Sequence, residues 1–364
     1  MAYKASNDRM LFITASLLTI FGLVMVYSAS FVIAASKHGV SYYYFLRQLG
    51  FGAAGYLLMI ALMNVDYHVW QKEKILRLLL LLSAGSLVFV LLQPKVNGAH
   101  RWLSIGPFSF QPSEFAKLAV LLFVAAYLHK HGPEINVLRR LVVPLLLVGL
   151  FAGLIGIEPD LGGAVCLAFI SILLLFIGGL SWKYIGAVAL ASVPVLYLSI
   201  VRVPFRLDRV MSFLDPFHDP LGASWQISQS LTAVGSGGPW GLGLGASKQK
   251  LFFLPEAHSD FIFAVVGEEL GLLGTCFICL AFLIILFRGV KIAFKAPDLF
   301  GYYLGLGITL MVVIQAFINI SMVLALMPTK GIALPFISQG GSSLMLNLVS
   351  AGILLNISQY GERG

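Results

Sequence analysis

Long apolar runs separated by short polar connections dominate this chain. Ten runs have the character of membrane spans, with expected limits of roughly 10–35, 43–63, 76–92, 113–128, 141–157, 160–180, 185–202, 261–287, 302–327 and 342–358. The first run is too long for the apolar core of a cleavable signal peptide, so we expect it to be the first span. The pattern predicts an all-α polytopic membrane protein, a bundle of about ten transmembrane helices that forms a single domain over residues 1–364.

One connection, from about 203 to 260, is much longer than the others. Its first part, Phe205 to Leu214, has apolar residues at helical spacing opposite charged ones, which predicts a helix lying in the membrane interface. A second short amphipathic helix is expected at Trp225 to Val234. The glycine-rich stretch that follows, Gly235 to Gly245, either allows the backbone to approach a ligand closely or is a mobile connector.

The composition agrees with the membrane class and excludes several others. Hydrophobic residues make up 59% of the chain and charged residues only 11%. The net charge of +8 does not indicate a nucleic-acid partner, because Lys and Arg are spread over the connections between spans, which is how membrane orientation is encoded. Their distribution predicts that both termini are cytoplasmic. The three cysteines, Cys166, Cys276 and Cys279, fall within apolar runs and are expected to be core residues.

The stretch from Pro255 to Leu270, PEAHSDFIFAVVGEEL, joins a polar run to a membrane-grade apolar segment. Asp260 is therefore expected at a membrane surface. A helix that begins near it would place Glu268 and Glu269 inside the hydrocarbon, where a carboxylate must be neutral, paired or beside water. Asp260 has two interpretations: a base that activates an acceptor hydroxyl beside a pyrophosphate, or a helix N-cap.

Three cations, Arg47, Arg101 and Lys117, are placed where they can line the same outer mouth. Arg47 also fits a plain helix-end cation whose head reaches the interface. Lys117 lies one helical turn after Glu114, so the two either lock helices together as an ion pair or present Lys117 to an anionic headgroup. Trp102, beside Arg101, suits stacking on a sugar or anchoring at the interface.

Two other outer connections carry candidate groups. EPDLG places Glu158 and Asp160 on a tight turn, where Asp160 either contributes to a site or caps the sixth helix. The last outer loop, Pro328 to Ser343, enters the tenth span through glycines and serines. The amides and hydroxyls there, including that of Ser342, suit a phosphate at a helix N-terminus, and ordinary capping explains them equally well.

These motifs, in the order NGAHRWL, FQPSEFAK, EPDLG, LPEAHSDF and PFISQGGSS, resemble those of the SEDS family of peptidoglycan glycosyltransferases. The family comprises the FtsW, RodA and SpoVE branches, and the resemblance covers nearly the whole chain. MPTKGIALP and LPEAHSDF are more similar to the division and sporulation branches than to the elongation branch, and most like the FtsW division branch. Gln339 stands where family members commonly have Tyr, so no role is predicted for it.

The resemblance implies a bacterial cytoplasmic-membrane enzyme that polymerises lipid II into glycan strands at the outer face. Asp260 would be the general base of an inverting transfer from which undecaprenyl pyrophosphate leaves. The implied substrate contacts are Arg47, Arg101, Trp102, Lys117 and Ser342, with supporting roles for Glu114, Asp160 and His258. A divalent cation, Mg²⁺ or Mn²⁺, is expected as cofactor, and its ligands are not predicted.

The resemblance also implies protein partners, since the long loop is too short to hold a transpeptidase domain. A class B penicillin-binding protein with a single membrane helix is expected, together with divisome or elongasome membrane proteins. Small residues of the ninth span are the predicted docking surface, namely Gly301, Gly305, Gly307 and Ala316. Two alternatives remain open: a lipid II flippase needs the cations without a base, and a non-catalytic scaffold needs neither.

Overall fold

The computed structural model describes residues 7–94, 100–105, 108–217, 219 and 222–361. Twelve α-helices, two short 3-10 helices (Tyr67–Gln71 and Gly132–Glu134) and one two-stranded antiparallel hairpin make up the regular structure of these residues. In chain order the α-helices and strands are α1 (Arg9–His38), α2 (Tyr43–Asn64), α3 (Glu73–Val90), β1 (Leu103–Ile105), β2 (Phe108–Phe110), α4 (Pro112–His131), α5 (Leu138–Ile157), α6 (Leu161–Ile177), α7 (Trp182–Val201), α8 (Pro204–Leu214), α9 (Trp225–Gly237), α10 (Ile262–Phe294), α11 (Leu299–Val323) and α12 (Gly341–Ser358).

The predicted all-α polytopic architecture is confirmed, with the small hairpin as its one departure within the described residues. Each of the ten predicted spans falls on a helix, and eight of these helices are long and apolar enough to cross a membrane. The other two are α3, whose first turns carry charged side chains, and α6, which has 17 residues. α10 extends beyond the predicted span limit near 287 and ends at Phe294, so Arg288 and Lys291 lie on the helix and not in a loop.

The start of α1 and the end of α12 lie at the same end of the bundle. The backbone N–H of Asp8 donates to Ser358 Oγ at 3.1 Å, and the carboxylate of Asp8 pairs with Arg288 at 2.5 Å. These contacts join the start of α1 to the ends of α10 and α12. The candidate residues described below are at the opposite end, where α2, α4, α6 and α12 begin.

The helices differ widely in how deeply they are buried. α7 has no buried residue, whereas α11 is packed on several sides. A β-carbon at Gly305 would lie 3.2 Å from Ala293 Cβ, and one at Gly307 would lie 2.8 Å from a methyl of Leu121. The predicted docking surface on the ninth span is therefore wrong, since its small residues serve close packing inside the bundle.

The cysteines are divided between the interior and the surface. Cys166 on α6 is buried, as predicted, whereas Cys276 and Cys279 on α10 are exposed. The prediction that all three are core residues was therefore wrong for two of them. An apolar run identifies a membrane helix but does not say which of its faces points to lipid.

The long connection folds onto the bundle. Both predicted amphipathic helices are present, as α8 and α9, and α9 is docked: Ser230 Oγ donates to the carbonyl of Val323 at 2.8 Å. The glycine-rich stretch packs against α10, whose helical path is interrupted at Gly271 (φ 63°, ψ −154°). The N–H groups of Leu242 and Gly243 donate to the carbonyls of Glu268 and Glu269 at 3.0 and 2.9 Å. Backbone groups left unpaired by the break are thereby satisfied.

Candidate functional site

Asp260 ends the long connection without capping α10. The N-cap of α10 is Phe261, and no side chain makes a capping bond there. The backbone carbonyl of Asp260 accepts from Asn319 Nδ2 at 2.8 Å. Among the described residues the carboxylate itself forms no hydrogen bond. The capping interpretation is therefore wrong, and the carboxylate is available to a ligand.

Arg101 and Asp260 meet across Gly331. A β-carbon at Gly331 would lie 3.2 Å from Asp260 Oδ2 and 3.6 Å from Arg101 Nη1. Gly331 is exposed, so the gap between the carboxylate and the guanidinium opens to the surface. The next residue is also fixed, because Asn319 Nδ2 donates to the carbonyl of Ile332 at 2.7 Å as well as to that of Asp260.

The turn between α5 and α6 holds Arg101 in place. Arg101 Nε donates to the carbonyl of Glu158 at 3.3 Å, and Arg101 Nη2 donates to the carbonyl of Pro159. Asp160 caps α6, accepting from the N–H of Gly163 at 3.0 Å, so its carboxylate is used by the helix. The EPDLG motif thus contributes to the site mainly through its backbone.

Glu158 is a second unengaged carboxyl group, and sequence reasoning gave it little weight. Its side chain is fully buried, and neither carboxyl oxygen has a hydrogen-bond partner within the described residues. Burial, with Asp160 nearby, raises the pKa of Glu158 to about 8, against the opposing effect of Arg101. Glu158 is therefore protonated at neutral pH, which removes the cost of burying a charge.

Arg209 of α8 also lies near Asp260, and the sequence did not single it out. Its guanidinium lies 4.1 Å from the centroid of the Phe205 ring and donates weakly to the carbonyl of Thr329 at 3.4 Å. Burial lowers the pKa of Arg209, and the charge of Asp260 opposes this. In the sequence it was one of three charged residues opposite an apolar face, a pattern equally typical of residues that face water.

The surroundings of Asp260 weaken its acidity. Burial, followed by the charge of Glu256, raises the pKa of Asp260 to about 7, while Arg209 and Arg101 act in the opposite direction. A carboxylate with a pKa near 7 is suited to accept a proton at physiological pH, because it is ionised yet not too weak a base.

A second group of candidates surrounds the hairpin. Arg47 Nη2 donates to Ser109 Oγ on β2 at 2.7 Å. The hydroxyl of Ser342 is fully buried and accepts from the N–H of Gln111 at 3.1 Å, so it fixes the chain between β2 and α4. Ser342 therefore supports the hairpin and does not present its hydroxyl to the mouth.

Three contacts connect the two groups. His258 stacks obliquely on Tyr44, one turn before Arg47, with ring centroids 4.9 Å apart. The carbonyl of His258 accepts from the N–H of Gln339 at 3.0 Å, and Gln48 Nε2 donates to the carbonyl of Ser338 at 3.0 Å. Burial lowers the pKa of His258, which keeps its ring neutral. His258 thus makes a packing contact between the Asp260 turn and α2, and its supporting role in the reaction stays a prediction.

The predicted pairing of Glu114 with Lys117 is present at the start of α4. Lys117 Nζ donates to Glu114 Oε1 at 2.7 Å, and the side chains are 5% and 16% exposed. The ion pair is thus nearly enclosed, so either charge alone would be costly to retain. Trp102 is half-buried beside Arg101 in sequence.

An apolar cavity of about 440 Å³ lies next to the hairpin. Phe110 of β2 and Phe115 of α4 line one end, and Trp70 lies toward the other end of the bundle. The remaining lining residues are almost all aliphatic and come from α2, α3, α4 and α12. The site therefore combines a polar mouth with an adjoining apolar space that suits a lipid chain.

The described residues do not form a metal site by themselves. No group of three or more His, Cys, Asp or Glu side chains there could hold an ion. Near the mouth, Asp160 is engaged in capping and Glu158 is protonated, which leaves Asp260 and the exposed Glu256 as carboxyl groups that could contact an ion. Mg²⁺ commonly binds one or two carboxylates together with substrate phosphates, and Asp260 fits that mode.

Comparison with known proteins agrees with the fold and the motifs. The family model described as Cell cycle protein, which covers FtsW, RodA and SpoVE, matches residues 8–363. Stage V sporulation protein E of Bacillus subtilis (strain 168) is 44% identical, with 99% of both chains covered. A probable peptidoglycan glycosyltransferase FtsW of Geobacter sp. (strain M18) is 41% identical, with 96% of both covered.

The fold is also found among solved structures. A structure titled "Structural coordination of polymerization and crosslinking by a peptidoglycan synthase complex" contains a chain with a TM-score of 0.80 and 28% identity, with 97% of both chains covered. The fold and the mouth define a polytopic helical membrane protein with a carboxylate set among arginines. The chain belongs to the FtsW, RodA and SpoVE family. Relatives from both the sporulation and the division branches, at 44% and 41% identity, agree with the family predicted from the motifs, while a closer likeness to the FtsW branch stays a prediction.

Proposed function

We propose that this protein is a peptidoglycan glycosyltransferase that polymerises lipid II during division or related septal wall synthesis. The observation that carries the proposal is the Asp260 carboxylate, which is free of hydrogen bonds within the described residues and faces Arg101 across the open gap at Gly331. Similarity to relatives named probable peptidoglycan glycosyltransferase FtsW supports the same reaction.

In this reaction Asp260 accepts the proton of an acceptor sugar hydroxyl as the hydroxyl oxygen attacks the anomeric carbon of the donor. The bond from that carbon to the pyrophosphate oxygen breaks, and undecaprenyl pyrophosphate leaves with the electron pair. Attack on an α-linked donor gives a β-linked product, so one base suffices and no covalent intermediate forms. Arg101 and Arg209 lie where they stabilise the negative charge that develops on the leaving group.

The remaining candidates have less direct roles. Arg47 and Lys117 add positive charge toward the hairpin, with Glu114 orienting Lys117 at 2.7 Å. The apolar cavity beside Phe110 accommodates part of the isoprenoid chain. Trp102 stacks on a sugar. Ser342 and Asp160 hold the hairpin and the EPDLG turn in place.

A divalent cation would be held mainly by the pyrophosphate of the substrate, with Asp260 and Glu256 as the carboxylates near it. Such an ion supplies additional neutralisation of the leaving group. The expected partner is a class B penicillin-binding protein within a divisome or elongasome assembly. The likeness to a chain of a peptidoglycan synthase complex supports an assembly of this kind. We place the mouth on the outer face of the cytoplasmic membrane and both termini inside.

One experiment separates this function from a lipid II flippase or a scaffold. Purified protein is incubated with labelled lipid II in liposomes containing Mg²⁺ or Mn²⁺, with and without its transpeptidase partner, and glycan chains and lipid scrambling are both measured. Asp260→Asn keeps the shape of the side chain and should lower polymerisation on the order of 10²-fold or more. Scrambling without chains would support the flippase, and wild-type turnover by a folded Asp260→Asn protein would exclude the general-base role.

A further inference from the structure

A buried polar cluster lies behind the mouth, away from the groups that contact substrate in the proposed mechanism. Lys250 Nζ pairs with Glu269 Oε1 at 2.6 Å, and the two side chains are 1% and 0% exposed. Ser28 Oγ on α1 donates to the second oxygen of Glu269 at 2.6 Å and accepts from Lys250 Nζ at 3.3 Å. The ring of Phe31 lies 4.9 Å from the ammonium group. This set of contacts is called the latch below.

Glu268, also buried, attaches the neighbouring loop residues to the same helix. Its carboxylate accepts from the N–H of Lys248 at 2.8 Å and from Ser247 Oγ at 2.5 Å. It also accepts from the N–H of Gln249 at 3.3 Å. Two adjacent carboxylates on α10 therefore hold residues 247–250 by side chain and by backbone. Such a concentration of buried charge is costly and persists only where its geometry is well satisfied.

The latch closes a chain segment that has Asp260 near its middle. Lys250 and Glu269 are 19 residues apart in sequence, and Asp260 lies about halfway between them. The glycine-rich stretch packs closely against the backbone at the end of the same segment: a β-carbon at Gly241 would lie 2.2 Å from the carbonyl oxygen of Glu269. Gly271 then separates this part of α10 from the rest of the helix. The first turns of α10, the latch and the Asp260 turn thus form one closed unit.

We propose that Lys250, Glu268 and Glu269 are positioning residues that hold the Asp260 carboxylate at its place in the mouth. The inference rests on the proposed function, because the base must be aligned with an acceptor hydroxyl. A segment closed at its base samples fewer conformations, so the carboxylate loses less entropy on reaching its reactive geometry. Asp260 itself is further fixed through Asn319, whose Nδ2 donates to its backbone carbonyl at 2.8 Å.

The test uses the full-length protein in detergent or liposomes. Lys250→Met alone leaves Glu269 buried without its cation and should lower the melting temperature. The double variant Lys250→Met with Glu269→Gln removes both charges and should recover most of that loss. Its kcat should nevertheless fall about tenfold or more with KM changed by less than about threefold, as expected for misalignment of a bound substrate. Lys250→Arg, which keeps the charge and a donor, should retain most of the turnover.

Hydrogen exchange supplies a readout that needs no substrate. Amides of residues 251–261 should exchange faster in the double variant than in the unmodified protein. The matched control is Asp8→Asn with Arg288→Gln, which removes another ion pair between α1 and α10 at the far end of the bundle. This control should leave both kcat and the exchange of residues 251–261 unchanged.

Two outcomes would overturn the proposal: unchanged kcat in the double variant, or reduced kcat with unchanged exchange of residues 251–261. If the double variant does not fold, Ser28→Ala is the second variant, because it loosens the latch without leaving a charge unpaired. It should raise the exchange of residues 251–261, and unchanged exchange there would also contradict the proposal. If the unmodified protein does not polymerise lipid II, the proposed function fails, while the exchange data still decide whether the latch fixes the Asp260 segment.

Discussion

At the scale of single residues, the feature that decides the chemistry is the balance of burial and charge at Asp260. Desolvation raises the pKa of this carboxylate to about 7, and Arg209 and Arg101 keep it from rising further. The same two arginines can then serve the departing pyrophosphate. One small cluster therefore supplies both the proton acceptor, Asp260, and the groups that stabilise the leaving charge, Arg101 and Arg209. The two arginines also lower the pKa of the acceptor.

The pH dependence of polymerisation should report this balance. Asp260 acts as a base only when ionised, so kcat/KM should fall below a midpoint near pH 7, approaching about tenfold per pH unit. Arg209→Gln removes a charge that lowers the pKa of Asp260, and the midpoint should move to higher pH. Arg206→Gln, on the same helix but bonded to the carbonyl of Ser199 at 2.9 Å, is the control and should leave it in place. A midpoint unaffected by Arg209→Gln would mean that Arg209 does not act on Asp260.

Gly331 tests where the reacting atoms lie. Its backbone is outside the left-handed region, so Gly331→Ala adds a methyl group without backbone strain, 3.2 Å from Asp260 Oδ2. We expect turnover to drop on the order of 10- to 100-fold because the methyl group occupies the gap between the base and Arg101. Gly50→Ala, on α2 with no atom near the added carbon, should have no effect on turnover. Normal turnover of Gly331→Ala would place the reaction outside this gap.

At the scale of secondary-structure elements, the ion pair at the start of α4 allows a role in stability to be separated from a role in substrate binding. Lys117→Met leaves the nearly enclosed Glu114 unpaired, which should cost about 3–5 kcal/mol of stability and reduce activity. Adding Glu114→Gln should restore the melting temperature in detergent but not the turnover, because the substrate still loses its cation. Recovery of both quantities in the double variant would show that the pair is purely structural.

The sequence predicted where the helices lie better than it predicted the contacts between them. Every span was located because apolar runs and their polar ends are local properties, and the pairing of Glu114 with Lys117 followed from helical spacing. Arg209 was not identified, because an arginine that faces a site and one that faces water have the same pattern within a helix. Likewise, the glycine-rich stretch gave no sign that it would pair with carbonyls of α10, since that contact depends on the break at Gly271.

The small residues of α11 show the same limit. Gly305 and Gly307 are typical of a close helix contact, and the structure uses them inside the bundle against α10, α4 and α12. α7, by contrast, is mostly apolar and has no buried residue. Which helix faces outward depends on contacts among distant parts of the chain, and neither hydropathy nor residue size encodes it.

At the scale of the whole molecule, the bundle separates two ends with different chemistry. One end joins the start of α1 to the ends of α10 and α12 through Asp8, Arg288 and Ser358. The other collects the Asp260 turn, the EPDLG turn and the hairpin, with an apolar cavity alongside. A lipid-linked sugar could thus keep its chain in the membrane while its headgroup lies among arginines. The proposed function therefore requires that the end carrying Asp260 face outward.

Cysteine labelling in intact cells tests that orientation. Lys248 is exposed near the Asp260 end, and Lys291 is exposed on α10 near the end that carries the termini. In a background where Cys166, Cys276 and Cys279 are replaced, Lys248→Cys should react with a membrane-impermeant thiol reagent added from outside. Lys291→Cys should react only after the cells are permeabilised, as the distribution of basic residues predicts. Labelling of Lys291→Cys but not Lys248→Cys in intact cells would place the mouth in the cytoplasm, where polymerisation of glycan strands for the wall cannot occur.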